Sequence, residues 1–285
     1  MNRAQLIQIA EDTINILNSG KYFNSKRQLV NIKELVDKSI KESILIEPTE
    51  DLKSKLSQLK AAGRVEDNKE GIIEVANETT LAGAKRLLDQ GYKKVACLNF
   101  ASAKNPGGGF LNGASAQEES LARSSALYPC IVQMEKMYEY NKKIKTCLYS
   151  DYMIFSPDVP VIKDDVGNLL DEPYLVSFIT APAVNAGIVQ QREGKENIQK
   201  IPQVMLNRIE KILILGILQG CDAIVLGAYG CGVFRNSPQN VAQYFNTLLN
   251  EEAAYKKYYK KVLFSVFDRS SSQENYKAFL DLFSN

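Results

Sequence analysis

The chain predicts an α/β sandwich, and three observations support it. From residue 71 onward, short apolar runs alternate with stretches whose apolar residues recur at helical spacing, the pattern of a sheet covered by helices. Two of these runs, residues 94–100 and 221–227, are nearly continuous in apolar residues, as strands buried on both faces are, and each leads straight into a glycine-rich loop. In open α/β sheets, ligands bind beyond the carboxyl ends of such strands. Finally, 285 residues with 45% hydrophobic and 24% charged content suit one large globular domain, or a domain plus an extension.

The elements follow in order. Residues 4–18 carry Leu6, Ile9, Ala10, Thr13, Ile14 and Leu17 at helical spacing, and Asn18, Ser19 and Gly20 end that helix. Residues 21–43 read as a polar loop and then a helix using Ile32, Leu35, Val36 and Ile40. Ile44, Leu45 and Ile46 form a short strand before Pro48. Residues 50–61 form a charged helix, followed by a solvated loop to residue 69. Residues 1–70 thus read as an N-terminal helical extension packed on the core as a stabilising cap, and 71–285 as the main domain. There, a strand over 71–76 precedes a helix capped by Thr79 or Thr80 and stopped by Gly91. After the strand 94–100 and its loop, Ser115 and Glu118 have the spacing of a capping box. They predict a helix through Ala126, with Pro129 beyond it. Residues 131–143 give another helix, and its closing lysines, Lys142, Lys143 and Lys145, read as a solvated face.

A strand over 152–156 is expected to halt at Pro157, and residues 159–170 resemble a hairpin turning at Asp165, Val166, Gly167 and Asn168. A buried strand over 174–180 leads to a loop over 181–187 and a polar, mobile segment over 188–200. Residues 202–219 form a long amphipathic helix closed by Gly220. The strand 221–227 then opens a second glycine loop, 228–238. Ser237 caps the next helix with Pro238 in its first turn, and that helix runs to about Asn250. A strand over 261–267 and a helix over 272–283, with Ser271 and Glu274 as a further capping box, complete the chain. No internal repeat appears.

Composition excludes several chemistries. The chain has no histidine, which removes Ser-His-Asp and Cys-His catalysis and the imidazole ligands of most catalytic zinc sites. Its five cysteines, at 97, 130, 147, 221 and 231, form no CxxC and give no reason to expect disulfides or a metal site. A net charge of +2 does not favour direct nucleic-acid binding. No apolar run resembles a signal peptide or a membrane span, so a cytoplasmic protein with no membrane partner is expected. Acid–base chemistry is left to carboxylates, Lys, Tyr or Cys.

Residues 99–119 carry the chemistry. Glycines let a backbone approach a bulky ligand closely, and the successive N–H groups of Gly107, Gly108 and Gly109 can cradle phosphate oxygens. A tight turn is the plain reading of the glycines alone. They lack the P-loop and GxGxxG spacings, but an acidic pair just beyond suggests bond cleavage beside a bound phosphate ester.

Three glycines, seven residues and then Gln117, Glu118 and Glu119 form a string that resembles the catalytic signature of poly(ADP-ribose) glycohydrolases, the microbial-type branch in particular. The resemblance covers residues 70–130, with a weaker second match over 227–234. It implies a macrodomain-like three-layer α/β/α sandwich with a mixed central sheet, in which 71–285 is the catalytic domain. It places the first loop at the reacting ribose and the second around the diphosphate. Gly230, Cys231, Gly232 and Val233 would offer backbone N–H donors, and Phe234 would lie against the adenosine part. The plain alternative is that Phe234 fills the core. Asn99 and Ser102 stand where many macrodomains have the two asparagines of Asn-Ala-Ala-Asn; the serine, with its shorter reach, departs from that pattern. Asn112 and Gln117 are further substrate-binding candidates. Asn105 reads better as an ordinary loop residue.

By the same resemblance, the reaction is hydrolysis of the ribose–ribose O-glycosidic bond, with poly(ADP-ribose) or ADP-ribosylated macromolecules as substrate. No cofactor or metal is implied, and a monomer is expected. Glu119 would protonate the leaving hydroxyl and then activate water. Adjacent helix positions point about 100° apart, so Glu118 would orient the ribose or complete the cap instead. A helix N-terminus favours an ionised carboxylate, so a bound ligand must favour the protonated acid. Two alternatives stay open: a reader that binds ADP-ribose without cutting it, and a hydrolase of mono-ADP-ribosyl linkages on protein or nucleic acid.

Overall fold

Short-range hydrogen bonds set most element boundaries in this computed structural model, which describes residues 1–65, 67, 71–251 and 254–284. Helix α1 (Arg3–Ser19) begins where the Asn2 side chain accepts from the Gln5 N–H, and it ends at Gly20, whose φ of 70° is left-handed. The segment expected as a polar loop contains a small hairpin, β1 (Lys21–Phe23) with β2 (Leu29–Asn31). Then come α2 (Lys33–Glu42), β3 (Ile44–Ile46) and α3 (Leu52–Ala61), the last capped by Asp51. Residues 66, 68 and 69 of the expected solvated loop lie outside the described residues.

Strand β4 (Ile72–Ala76) precedes α4 (Thr80–Asp89), whose first turn is capped by the Thr79 hydroxyl. Strand β5 (Val95–Phe100) leads into the first glycine loop. Helix α5 (Gln117–Ser124) is shorter than expected, and Pro129 falls within α6 (Leu127–Val132), in the first turn where a missing N–H is tolerated. Helix α7 (Glu135–Lys143) follows. Strand β6 (Met153–Lys163) does not halt at Pro157. Its register against β7 (Leu169–Ala181) shifts between Ser156 and Val159, and this bulge, with Asp158 at φ 48°, absorbs the proline.

The segment expected to be mobile is helical. Asn185 caps α8 (Ala186–Arg192), and α9 (Lys195–Leu218) starts before Pro202 and carries it internally. After β8 (Ala223–Leu226), Ser237 caps α10 (Pro238–Asn246), as expected; the chain then widens into a π turn over Thr247–Glu251 instead of continuing as α-helix. Strand β9 (Lys261–Ser265) and α11 (Glu274–Phe283) end the chain. The expected capping box there is absent: Gln273 takes the N-cap position at φ 50° and its N–H donates to Ser270.

Two units share these elements. The first contains residues 1–46, 99–143 and 152–181. Its strands β3, β6 and β7 pair antiparallel, with Phe155 opposite both Ile44 and Ile179. In this unit Ala10 of α1 packs with Phe110 and Ala122. The buried Lys163 ammonium is fastened to α1 at Ile9 O (3.0 Å), Thr13 Oγ1 (2.8 Å) and Asp12 (2.7 Å). The second unit contains residues 47–98, 144–151 and 182–285. Its strands β5, β8, β9 and β4 pair parallel, and its core includes the aromatic cluster Phe245, Phe264, Phe279 and Phe283. The pairings are therefore mixed, as expected for the fold. Strand β5 begins in the second unit, and its last residues, Asn99 and Phe100, belong to the first.

Candidate active site

In the first unit, the end of β5 and the start of α5 are joined by side chains reaching back from the helix. The Gln117 Oε1 accepts from Phe100 N at 2.9 Å, and the Glu118 Oε2 accepts from Ser102 N at 2.7 Å. The Glu118 Oε1 faces the Asn99 amide nitrogen at 3.3 Å, and that nitrogen also donates to the Thr180 hydroxyl at 3.1 Å. The expected capping box at Ser115 and Glu118 is therefore not formed. The N-cap residue is Ala116, with no side-chain cap, because the loop amide of Ser102 and the buried Asn99 compete successfully for the Glu118 carboxyl. Asn99 is fully buried, its amide nitrogen shared between Glu118 and Thr180.

The glycine turn wraps the other carboxylate. Gly109 N donates to Glu119 Oε1 at 3.0 Å, and Gly108 N donates to Asn105 O. These amides face the protein's own oxygens, which corrects the expectation of a phosphate cradle at this loop. Gly107 and Gly108 have φ of 71° and 59°, where a side chain would be strained. A Cβ on Gly108 would overlap the Glu119 carboxylate, and one on Gly107 would crowd the rings of Phe110 and Tyr128. Asn112 is exposed, and its carbonyl accepts from Arg3 Nε at 2.9 Å. The Ser102 hydroxyl accepts from Asn105 N.

The two carboxyls therefore have different environments. Glu118 is 2% exposed. Burial pushes its pKa up to about 8, against the opposing hydrogen bonds from Ser102 N and Asn99, with the Glu119 charge adding to the rise. Glu119 is half-buried. Sequence reasoning missed three neighbours. Thr180 anchors Asn99 from the end of β7. Arg123, one helical turn beyond Glu119, is 4% exposed and bonded to Ala114 O and Ser120. Burial lowers its pKa, and the Glu119 charge opposes that shift. Tyr138 is buried and coupled electrostatically to Glu118. Only the i, i+4 spacing of Glu119 and Arg123 was a readable signal.

The second unit holds the other glycine loop, and this one is more open. The Cys231 N–H is engaged by Ala228 O, and Asn236 closes the turn onto Gly230 O and Val184 O. Gly230 has φ 73° and no room for a Cβ between Ala183 and Asn236, whereas nothing lies within 4 Å of the position a Cβ would take on Gly232. Gly232 is exposed, and Val233 is 81% exposed. Phe234 is not a core residue: it is half-buried, with its ring 6.0 Å from that of Tyr149 at a tilt of 45°.

A half-exposed carboxylate held by a glycine turn beside a buried carboxyl of raised pKa fits a glycoside-cleaving enzyme, in which one carboxyl moves protons. Comparison with known proteins agrees. The model of the microbial-type PARG catalytic domain matches residues 10–164. A poly(ADP-ribose) glycohydrolase from Thermomonospora curvata is 40% identical over 99% of this chain and 100% of its own, with a TM-score of 0.90. Its complex with the inhibitor ADP-HPD matches at 39% identity over 98% and 99% of the two chains, with a TM-score of 0.87. The Deinococcus radiodurans enzyme in complex with ADP-ribose is 37% identical over 90% of this chain and 98% of its own, with a TM-score of 0.78. A search of curated proteins gave no match. The chain belongs to the microbial-type poly(ADP-ribose) glycohydrolase family and has its macrodomain-like mixed α/β fold. Among the described residues, no helix is long and apolar enough to cross a membrane.

Proposed function

We propose that the chain hydrolyses the ribose–ribose O-glycosidic bonds of poly(ADP-ribose) and releases ADP-ribose, with Glu119 as the proton-transferring group. The observation that carries this role is the contrast within the acidic pair. Both Glu118 oxygens are bound inside the protein and the side chain is buried, whereas Glu119 is half-exposed with Oε1 on the Gly109 amide. Cleavage proceeds through an oxocarbenium-like state and needs a proton on the departing oxygen. Glu119 gives that proton up and then takes one from the attacking water. Burial raises the Glu118 pKa, which disfavours a second charge beside Glu119.

The ligand is ADP-ribose, as in the Deinococcus complex. In this reading the amides of Gly230, Gly232 and Val233 serve the diphosphate, the Cys231 amide being already taken by Ala228 O, and Phe234 serves the adenosine part. The protein acts in the cytoplasm as a monomer, without binding nucleic acid directly. Glu119→Gln should lower turnover of poly(ADP-ribose) by at least about 10²-fold while ADP-ribose still binds in calorimetry. Retained turnover would reject the role. Parallel incubation with mono-ADP-ribosylated protein identifies the linkage that is cut: ADP-ribose released only from that substrate would overturn the poly(ADP-ribose) assignment.

A further inference from the structure

Arg208 lies in the middle of α9 with no solvent exposure. A buried guanidinium is tolerated only when its N–H groups are matched, and here they are matched mainly by backbone. Nη1 donates to Leu148 O (3.1 Å) and Pro182 O (3.0 Å), Nη2 to Tyr149 O (3.1 Å), and Nε to Asp151 (3.0 Å). These carbonyls belong to the two segments that flank the second glycine loop within its unit. One segment carries Tyr149. The other carries Ala183, which packs on Gly230, and Asn185, whose N–H donates to Cys147 O.

Tyr149 is held in an unusual state. Its φ is 56°, a left-handed conformation that a bulky residue adopts only when its surroundings impose it. Its ring lies tilted toward that of Phe234. Phe234 is fixed through its own carbonyl, which accepts from Gly187 N at 3.0 Å.

We propose that Arg208 and Tyr149 are positioning residues for ligand binding: Arg208 imposes the left-handed turn, and the Tyr149 ring fixes the Phe234 ring in the orientation that receives the adenosine part of the ligand. This rests on the reading of residues 230–234 as the ligand loop. Neither residue touches the reacting atoms, so their loss weakens binding and leaves the chemical step alone.

The decisive variant is Tyr149→Gly, which suits the left-handed backbone and removes the whole side chain, with Tyr149→Phe as the control for the hydroxyl. It should raise KM for poly(ADP-ribose), and Kd for ADP-ribose, by about three- to tenfold, with kcat unchanged, whereas Tyr149→Phe should stay within about twofold of wild type. Arg208→Lys should reproduce the KM increase if it folds, and Tyr149→Gly decides the matter if it does not. Unchanged KM and Kd in Tyr149→Gly, a loss confined to kcat, or an equal loss in Tyr149→Phe would overturn the proposal. Failure of the substrate assignment shows separately, as absence of ADP-ribose release by the wild-type enzyme.

Discussion

The two glycine loops are built in opposite ways. In the first, a cluster of backbone amides and the Asn99 side chain are turned onto two carboxyl groups, and the positive-φ Gly108 makes room for the Glu119 carboxyl. In the second, only Gly230 is locked by its neighbours, while Gly232 and Val233 face open space. The difference separates two demands. On the proposed reading, the first loop holds a proton-transferring group in place before the substrate arrives, whereas the second leaves backbone uncovered for the ligand.

The sharpest way to break this comparison is Gly108→Ala. Its Cβ would displace the Glu119 carboxylate from a φ of 59°, so turnover should fall by about 10²-fold, with stability reduced by about 1–2 kcal/mol. Normal kinetics would mean that the first loop does not hold Glu119 in its working position. The next effect contrasts two residues of the second loop. Gly230→Ala should lower stability by about 1–2 kcal/mol, because it is both left-handed and crowded. Gly232→Ala should change stability by less than about 0.5 kcal/mol yet weaken ADP-ribose binding in calorimetry. If Gly232→Ala binds normally, the open loop is not where the ligand lies.

A further contrast concerns pH. Glu118 is pushed from its ordinary value of 4.5 up to about 8. Between those values the folded protein keeps a proton that the unfolded chain has released, so this group's contribution to stability falls as pH rises across the window. Glu118→Gln removes that dependence. Thermal melts should therefore show the variant gaining on the wild type from pH 5 to pH 8, and a constant difference would mean that Glu118 is ionised in the folded state.

How much of this was legible in the sequence depended on whether the deciding interaction was local. Thr79 and Ser237 cap the helices that follow them, using partners three residues away. Gly20 ends α1 for an equally local reason. The apolar strands leading into both loops were likewise visible. The role of Glu118 was not, because its local opportunity, the capping box, was overridden by Ser102 and Asn99, brought in by tertiary folding. Strand β6 passed through Pro157 because a bulge against β7 absorbed it, and no pattern around Pro157 announces that partner. Arg208 lay within a helix that was readable, but the carbonyls it serves are 26 to 60 residues distant in sequence.

The grip of Lys163 on α1 has a practical consequence for anyone preparing a shortened enzyme. A fragment starting at residue 71 would strip the Lys163 ammonium of Ile9 O, Asp12 and Thr13, the partners that α1 supplies, and would take β3 from the edge of β6. It would also uncover Phe110, one residue past the turn that holds Glu119. Deletion of the leading helix is thus expected to impair the enzyme through its floor, and an inactive truncated preparation would say nothing about which groups carry out the cleavage.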